Sequence, residues 1–464
     1  MTSTVRICVA LWLAGTASAF GQSPDVNQPA NPSPPVSTAP NMQPVGLRAT
    51  AQPLAGGPPT AAQAVGTFWE PLNAQPPGHT VDGWTFFPMV TGAAFFDDNV
   101  FATHSNRQSD WAFIVRPELA VTKSGQNYGF EAHGFVEKRE YAKFDSENQV
   151  NGAASVGGTV MLNPDTQFQG RAQYVHAHEE RGVGETIVNG TIFPQTLKPI
   201  AFDQADVAAA LNHRNDRWWT SVGAAATWIH FDNALLTDGT VALQDFRDGV
   251  IAAVPIRVGY VVAPFTSVFV QGTPNRRDFE INEFDSTGYH VVGGILLEPG
   301  QGRRVKGEAW AGYMNQDYNG ATFKTVSSWT FATSMAFLLT DRLTMTLQGR
   351  RDAKETAVTC LVLNVFNGCG SSLIESWGGV RFDYLLLPNL VAGIGATYFV
   401  DEILDIVNGD QTDRYLRPLF SLRYFPNPWL TLGFDYRHID FNSDRLGVLS
   451  YNRNVYLFSA NAKF

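Results

Sequence analysis

Long hydrophobic runs are missing from this sequence. After the first 20 residues it never offers the roughly 18 consecutive apolar residues that a membrane helix needs, so a helical membrane protein is excluded. Charge is sparse as well: Asp, Glu, Lys and Arg make up 16% of the chain, and the formal net charge is −10. An acidic balance of that kind argues against a nucleic-acid partner, which requires a basic surface. Cysteine is scarce, with three residues in 464. Patterned chemistry is also absent. There is no GxSxG, no HExxH, no EF-hand spacing and no phosphate-cradling glycine loop, so no catalytic residue, metal site or cofactor is assigned.

Aromatic residues and glycine are plentiful: 32 Phe, 14 Tyr, 11 Trp and 42 Gly. With a mean hydropathy of −0.11, the apolar residues are diluted along the chain. A chain of this length also exceeds one ordinary globular core. A strand that crosses a bilayer in a closed barrel needs apolar side chains only at every second position, so this composition permits a transmembrane barrel.

Residues 1–19 read as a signal peptide. Arg6 supplies the positive region, ICVALWLAGTA the apolar core and Ala17-Ser18-Ala19 a small-residue cleavage site. Cys8 lies inside that core, which leaves Cys360 and Cys369 for the mature chain. Residues 20–80 are rich in Pro, Ala and Gln and have no apolar period. This is the composition of a disordered periplasmic segment, either a plain spacer or a contact to the cell wall.

From residue 81 to residue 464 one unit repeats: about ten to fourteen residues of alternating apolar and polar character, then a turn or a loop. Leu430, Leu432, Phe434 and Tyr436 oppose Thr431, Gly433 and Asp435. Leu416, Pro418, Phe420, Leu422 and Tyr424 oppose Arg417, Leu419, Ser421 and Arg423. Trp111, Phe113, Val115, Pro117 and Leu119 oppose Arg116 and Glu118. Side chains of a strand alternate between faces, so each stretch is one strand with one apolar side.

Tight connections (SGQN at 124–127, NPDT at 163–166, RNDR at 214–217, APFT at 263–266, LPN at 387–389) alternate with long ones, including 179–200, 233–244, 354–373, 403–413 and 442–452. Short turns carry the Gly, Pro, Asn and Asp that turns require. The pattern predicts an all-β fold: a transmembrane antiparallel up-and-down β-barrel of about 18 strands (16–18), with short periplasmic turns and long extracellular loops. Tyr384, Tyr398, Tyr424 and Tyr436 recur where an aromatic girdle belongs.

The opening of the barrel, FFDDNVFATHSNRQSDWAFIVRPELAVTKSG at 95–125, leads into the YGFEAHGFVEKREYAKF strand. It resembles the putative β-barrel porin 2 type of outer-membrane protein, in which an aromatic-Asp-Asp/Ser-Asn-Val-Phe hairpin precedes Ser-Asp and a Pro-bearing strand. The resemblance implies a barrel of the cell outer membrane, in some relatives linked to exopolysaccharide production. It also implies that barrel assembly machinery reads the C-terminal aromatic Phe464. That residue shares a face with Tyr456, Phe458, Ala460 and Ala462, on a last strand expected to pair with the stretch near Trp84–Phe95.

In such a barrel the polar face lines the lumen. It would carry Arg350, Arg381, Arg417, Arg423, Arg437 and Arg453, together with Arg116, Arg171, Arg247, Arg257 and Lys306. Opposing acids are Glu118, Glu131, Glu137, Asp206, Glu308, Asp383 and Asp435. Rings of arginine favour anions in a pore; the alternative is that these charges pair and stiffen the wall. The loop acids, among them Asp97, Asp98, Asp110, Glu147, Glu179 and Glu180, face few basic residues in the sequence. Asp97, Asp98 and Asn99 suit a Ca²⁺ or a divalent bridge to lipopolysaccharide, or else an ordinary solvated turn. His176 and His178 share a strand face, too few ligands for a metal site and more in keeping with interfacial histidines. Cys360 and Cys369 lie in one loop of an oxidising compartment and are expected to form a disulfide. The apolar LVLNVFNG between them suits a constriction at the barrel mouth.

The expected function is passive diffusion of small hydrophilic solutes through an outer-membrane channel, with a mild anion or sugar preference. The expected partners are outer-membrane lipid and lipopolysaccharide. The alternative is a component of exopolysaccharide export with polysaccharide-export partners, for which the Pro-rich segment would be a tether.

Overall fold

In the computed structural model the described residues are 78–182, 196–298, 304–320, 323–362, 365–404, 410–444 and 450–464, with the side chains of 355–371 left out. The expected leader, and all but the end of the 20–80 segment, lie outside them. The chain forms a closed antiparallel barrel of 18 strands. They are β1 Trp84–Asp97, β2 Asp110–Ser124, β3 Tyr128–Tyr141, β4 Gln149–Asn163, β5 Thr166–His178 and β6 Ala201–Asn215. Next come β7 Trp218–Phe231, β8 in two pieces (Gly249–Ala253 and Ile256–Ala263), β9 Thr266–Phe279, β10 Ser286–Leu297, β11 Val305–Tyr318 and β12 Val326–Thr340. The last six are β13 Leu343–Val362, β14 Val365–Leu387, β15 Leu390–Leu404, β16 Gln411–Asn427, β17 Leu430–Ser443 and β18 Tyr451–Lys463. Each pairs with its chain neighbour, and β1 pairs with β18 from Met89↔Lys463 to Asp97↔Val455, so no membrane strand is left with an open edge.

Burial follows the alternation read from the sequence. On β2 the exposed residues are Trp111, Phe113, Val115, Pro117 and Leu119, while Ala112, Ile114 and Arg116 point inward and are buried. On β18, Tyr456, Phe458 and Ala460 face out; Arg453, Val455, Leu457, Ser459, Asn461 and Lys463 face in. The outward rings form two girdles. Trp111, Tyr289, Trp329 and Tyr398 stand toward the loop end, and Trp218, Tyr384, Tyr424 and Trp429 toward the turn end. Neighbouring strands bring girdle rings into contact, as with Trp218–Tyr260 at 4.9 Å and Tyr436–Tyr456 at 5.0 Å. Among the described residues, the one break inside a barrel strand falls before Ile256. Pro255 has no N–H for the ladder, yet its carbonyl still accepts from Gly223 N at 2.9 Å, so the strand keeps its register across the gap.

Two expectations about the loops need correction. Residues 354–373 are not a loop: β13 and β14 run through them as one long hairpin, paired from Lys354↔Leu373 to Val362↔Val365. Thr356, Val358, Thr359, Val362, Val365 and Phe366 are β-branched or aromatic, and such residues favour extended pairing over a turn. Cys360 opposes Asn367 and Cys369 opposes Val358; their side chains, and hence the expected disulfide, lie outside the described residues. Pairing of β13 with β12 stops at Phe331↔Arg351. Above that point the hairpin leans inward on the nearby strands β9 and β11, where Arg277 Nη2 donates to Ala353 O at 3.1 Å and Tyr318 Oη donates to Lys354 O at 3.2 Å.

The second correction concerns the loop acids, which are not a fringe of unpaired charge. Glu147 takes Arg181 at 2.6 Å and Glu179 takes Arg247 at 2.5 Å. Asp110 accepts from the backbone N–H of Trp111 and Lys143. These loops turn inward and pack apolar residues into the mouth. Val100, Phe101 and Phe144 join Phe95, Ile114 and Leu457; Phe246, Phe284 and Phe323 join Met314 and Tyr318.

Candidate functional site

The wall made by β14–β18 gathers the basic residues singled out in the sequence. Arg381 donates to Asp383 at 2.7 Å and to Ser421 Oγ at 2.7 Å. Arg423 donates to Asp435 at 2.7 Å. Arg453 grips Asp97 through Nε at 2.9 Å and Nη2 at 2.5 Å, with both side chains almost fully buried. Arg350, on the neighbouring β13, pairs with Asp352, which also takes His290 at 3.2 Å. Arg417 lies over the rings of Phe399 at 4.9 Å and Tyr415 at 5.2 Å. Arg437 has no ion pair among the described residues, and its buried Nε, like those of Arg350 and Arg417, has no acceptor.

The register explains the grouping. Arg437 stands opposite Leu419 on one side and Val455 on the other, and Arg453 stands opposite Ile439. The three guanidiniums of Arg417, Arg437 and Arg453 therefore come from three adjacent strands at nearly one height. Over them, Tyr451 Oη donates to Gly182 O at 2.8 Å and Arg453 Nη1 to Arg181 O at 3.4 Å. Gly182 has φ +75°, and a Cβ there would lie 2.5 Å from the Ala102 side chain and 2.6 Å from Tyr451 Oη, so only glycine seats the loop this closely.

Elsewhere in the lumen Arg116 pairs with Glu118 at 3.3 Å, His133 with Glu118 at 2.7 Å, and Arg257 with Glu308 at 2.9 Å. Arg247 is not on the wall: it sits in the short helical turn Asp245–Arg247 at the mouth, over the Phe231 ring at 3.5 Å. Several of these pairs have a sequence signature. Arg350/Asp352, Arg381/Asp383, Arg116/Glu118 and Glu137/Arg139 are two residues apart, and that spacing places both charges on one strand face.

The acidic triplet at the first loop also has a defined place. Asp98 accepts from Asn454 N and Nδ2, both at 2.6 Å. Asn99, fully buried, donates to Thr103 O at 2.8 Å and to Asn452 O at 2.9 Å. With Asp97 on Arg453, the triplet ties the first strand to the last and is neither a solvated turn nor an open set of cation ligands. At the loop end, His176 Nδ1 meets Asp203 at 2.9 Å and His178 Nδ1 meets the inward-facing Asn151 at 2.9 Å. No cluster of three His, Cys, Asp or Glu residues fit for a metal ion occurs among the described residues. What sequence reasoning missed is the role of Glu180-Arg181-Gly182; the only local signal was a charged run ending in glycine just after a strand.

A closed barrel with an arginine-bearing lumen is accompanied by a match to the family model described as putative beta-barrel porin 2, over residues 70–464. The chain belongs to that family. Its porin-type barrel is that of an outer-membrane protein and is a channel fold. No curated protein matches the chain. Among solved structures, Acinetobacter baumannii OccAB4 is similar at 11% identity and TM-score 0.41, over 82% of this chain and 98% of that one. Pseudomonas aeruginosa OpdO is similar at 13% identity and TM-score 0.42, over 83% and 98%. The ferric enterobactin receptor PfeA of Pseudomonas aeruginosa is similar at 8% identity and TM-score 0.38, over 81% and 80%. Scores of this size carry nothing about the solute that this porin family member passes.

Proposed function

We propose that this protein is a passive outer-membrane channel for small hydrophilic solutes, with a preference for anions. The observation that carries the reading is the wall of β14–β18, where Arg381, Arg417, Arg423, Arg437 and Arg453 face the lumen with Asp383, Asp435 and Asp97 among them, while the further inward acids Glu375, Asp401 and Asp413 form a separate row nearer the loop end. Arginine in excess over acid along a passage lowers the electrostatic cost of an anion there and raises that of a cation. Each Arg–Asp pair is close to neutral at a distance but still offers guanidinium donors to an anion, and Arg437 adds a charge with no ion pair among the described residues. The loops packed into the mouth favour small solutes over a polymer, which sets this reading ahead of polysaccharide export.

The test is single-channel recording on the purified, membrane-inserted protein in a potassium chloride gradient. Discrete conductance steps with a reversal potential on the chloride side are the expected result. A folded barrel that gives no steps, or one that prefers potassium, overturns the reading.

A further inference from the structure

Resting on that channel reading, we propose that Arg437, with Arg417 and Arg453 beside it, forms an oxyanion subsite in the lumen, and that Glu180 is its built-in competitor. Arg437 retains only 8% of its surface. Among the described residues no carboxylate lies within ion-pair reach of it, and its Nε has no acceptor. Burying a guanidinium in that condition is costly unless something supplies the missing acceptor. Its charged neighbours are Glu180, Arg417, Arg453 and Asp435. Asp435 is already engaged by Arg423 through both oxygens, at 2.7 and 2.9 Å, and Arg453 is committed to Asp97.

Glu180 is the complementary oddity. Its Oε1 is buried without a donor, although it is the largest attractive electrostatic influence on Arg437. An unmatched acid and an unmatched guanidinium thus sit near each other without touching. Its segment is pinned by Tyr451 on Gly182 O and by Arg453 on Arg181 O, so the carboxylate is held above the guanidiniums by its backbone. A carboxylate or phosphate group of a passing solute meets the Nη end of Arg437, since its Nε is sealed from the lumen. A guanidinium can meet either one with two parallel hydrogen bonds. Glu180 opposes entry by repulsion and keeps binding weak enough for the solute to leave, as transport requires.

The probes are inorganic phosphate and acetate, added while chloride current is recorded through the full-length protein. Each is expected to reduce the current saturably. Arg437→Gln raises the half-blocking concentration about tenfold, the effect of losing one charge-assisted hydrogen bond. Arg437→Lys falls between the two, and Glu180→Gln lowers the half-blocking concentration. The ratio of phosphate to acetate affinity separates a phosphate-selecting site from one that takes any oxyanion. Unchanged block in a conducting Arg437→Gln channel overturns the subsite, and weaker block in Glu180→Gln overturns the competitor role. If the wild-type protein carries no current, the channel reading fails by itself. Calorimetric titration of the folded barrel with phosphate, wild type against Arg437→Lys and Glu180→Gln, then decides the subsite separately: heats that fall with Arg437→Lys and rise with Glu180→Gln support it, and heats that do not change overturn it.

Discussion

The two sides of the lumen are built differently. The wall of β14–β18 carries five inward arginines, several of them locked to aspartates. The wall of β4–β7 presents Asn151, Ser155, Gln167, Gln169, Gln173 and Ser221 around the charges of Arg171 and Asp206. Outside, the two walls are alike: Val156, Tyr174 and Val222 on one match Ile394, Leu416 and Phe458 on the other. Lipid constrains the outer face of every strand to one chemistry, whereas the lumen leaves the inner face to be specified wall by wall. The asymmetry is therefore confined to the lumen and is absent from the lipid-facing surface.

The largest effect should come from the charged wall. Asp97→Ala leaves Arg453 buried without its partner and should cost about 3–5 kcal/mol, whereas Ser155→Ala on the β4–β7 wall should cost about 1 kcal/mol or less. Denaturant midpoints of the folded barrel in detergent, followed by its heat-dependent gel mobility, compare the two. Equal losses would erase the contrast. Next, Ile394→Arg and Val156→Arg place a charge in lipid on either wall, and each should cost about 2–4 kcal/mol if it lies near the bilayer midplane. A marked difference between them, in the same unfolding measurement, would show that the outer faces are not equivalent.

A third substitution set addresses conduction. Changing Arg417, Arg423 and Arg437 together to Gln leaves Asp435 without Arg423 and should move the reversal potential from the anion side to the cation side. Changing Gln167, Gln169 and Gln173 to Ala should leave its sign alone. The smallest effect is expected at the rim, where Arg276 and Asp278 pair at 2.7 Å but remain largely in solvent. Arg276→Ala should leave stability essentially unchanged, and a clear shift in the same denaturation experiment would mean that the rim pair supports the loop end of β9.

What was legible in the sequence was the part governed by local rules. Alternation on β2, β16 and β18 follows from the two-residue period of a strand, and the tight turns at 163–166 and 387–389 follow from the backbone needs of their Asn, Pro and Asp. The arginine wall was legible for the same reason, since residues two apart share a face. The inward loops were not. Ala102 is buried against Phe399, Tyr415 and Tyr451, contacts some 300 residues away along the chain, and nothing near Ala102 announces them. Residues 354–373 misled because length alone suggested a loop, while their β-branched content pointed to the hairpin that forms. The loop acids misled because their partners, such as Arg181 for Glu147, come from other loops.

The seam between β1 and β18 has a consequence for how the protein is made. Arg453 holds Asp97 on the first strand and the Arg181 carbonyl of a loop, so one side chain both shuts the cylinder and fixes the roof over the guanidiniums. On the channel reading proposed above, joining the barrel's ends and seating the loop over the guanidiniums depend on the same side chain, so a barrel whose first and last strands are joined already carries its anion site.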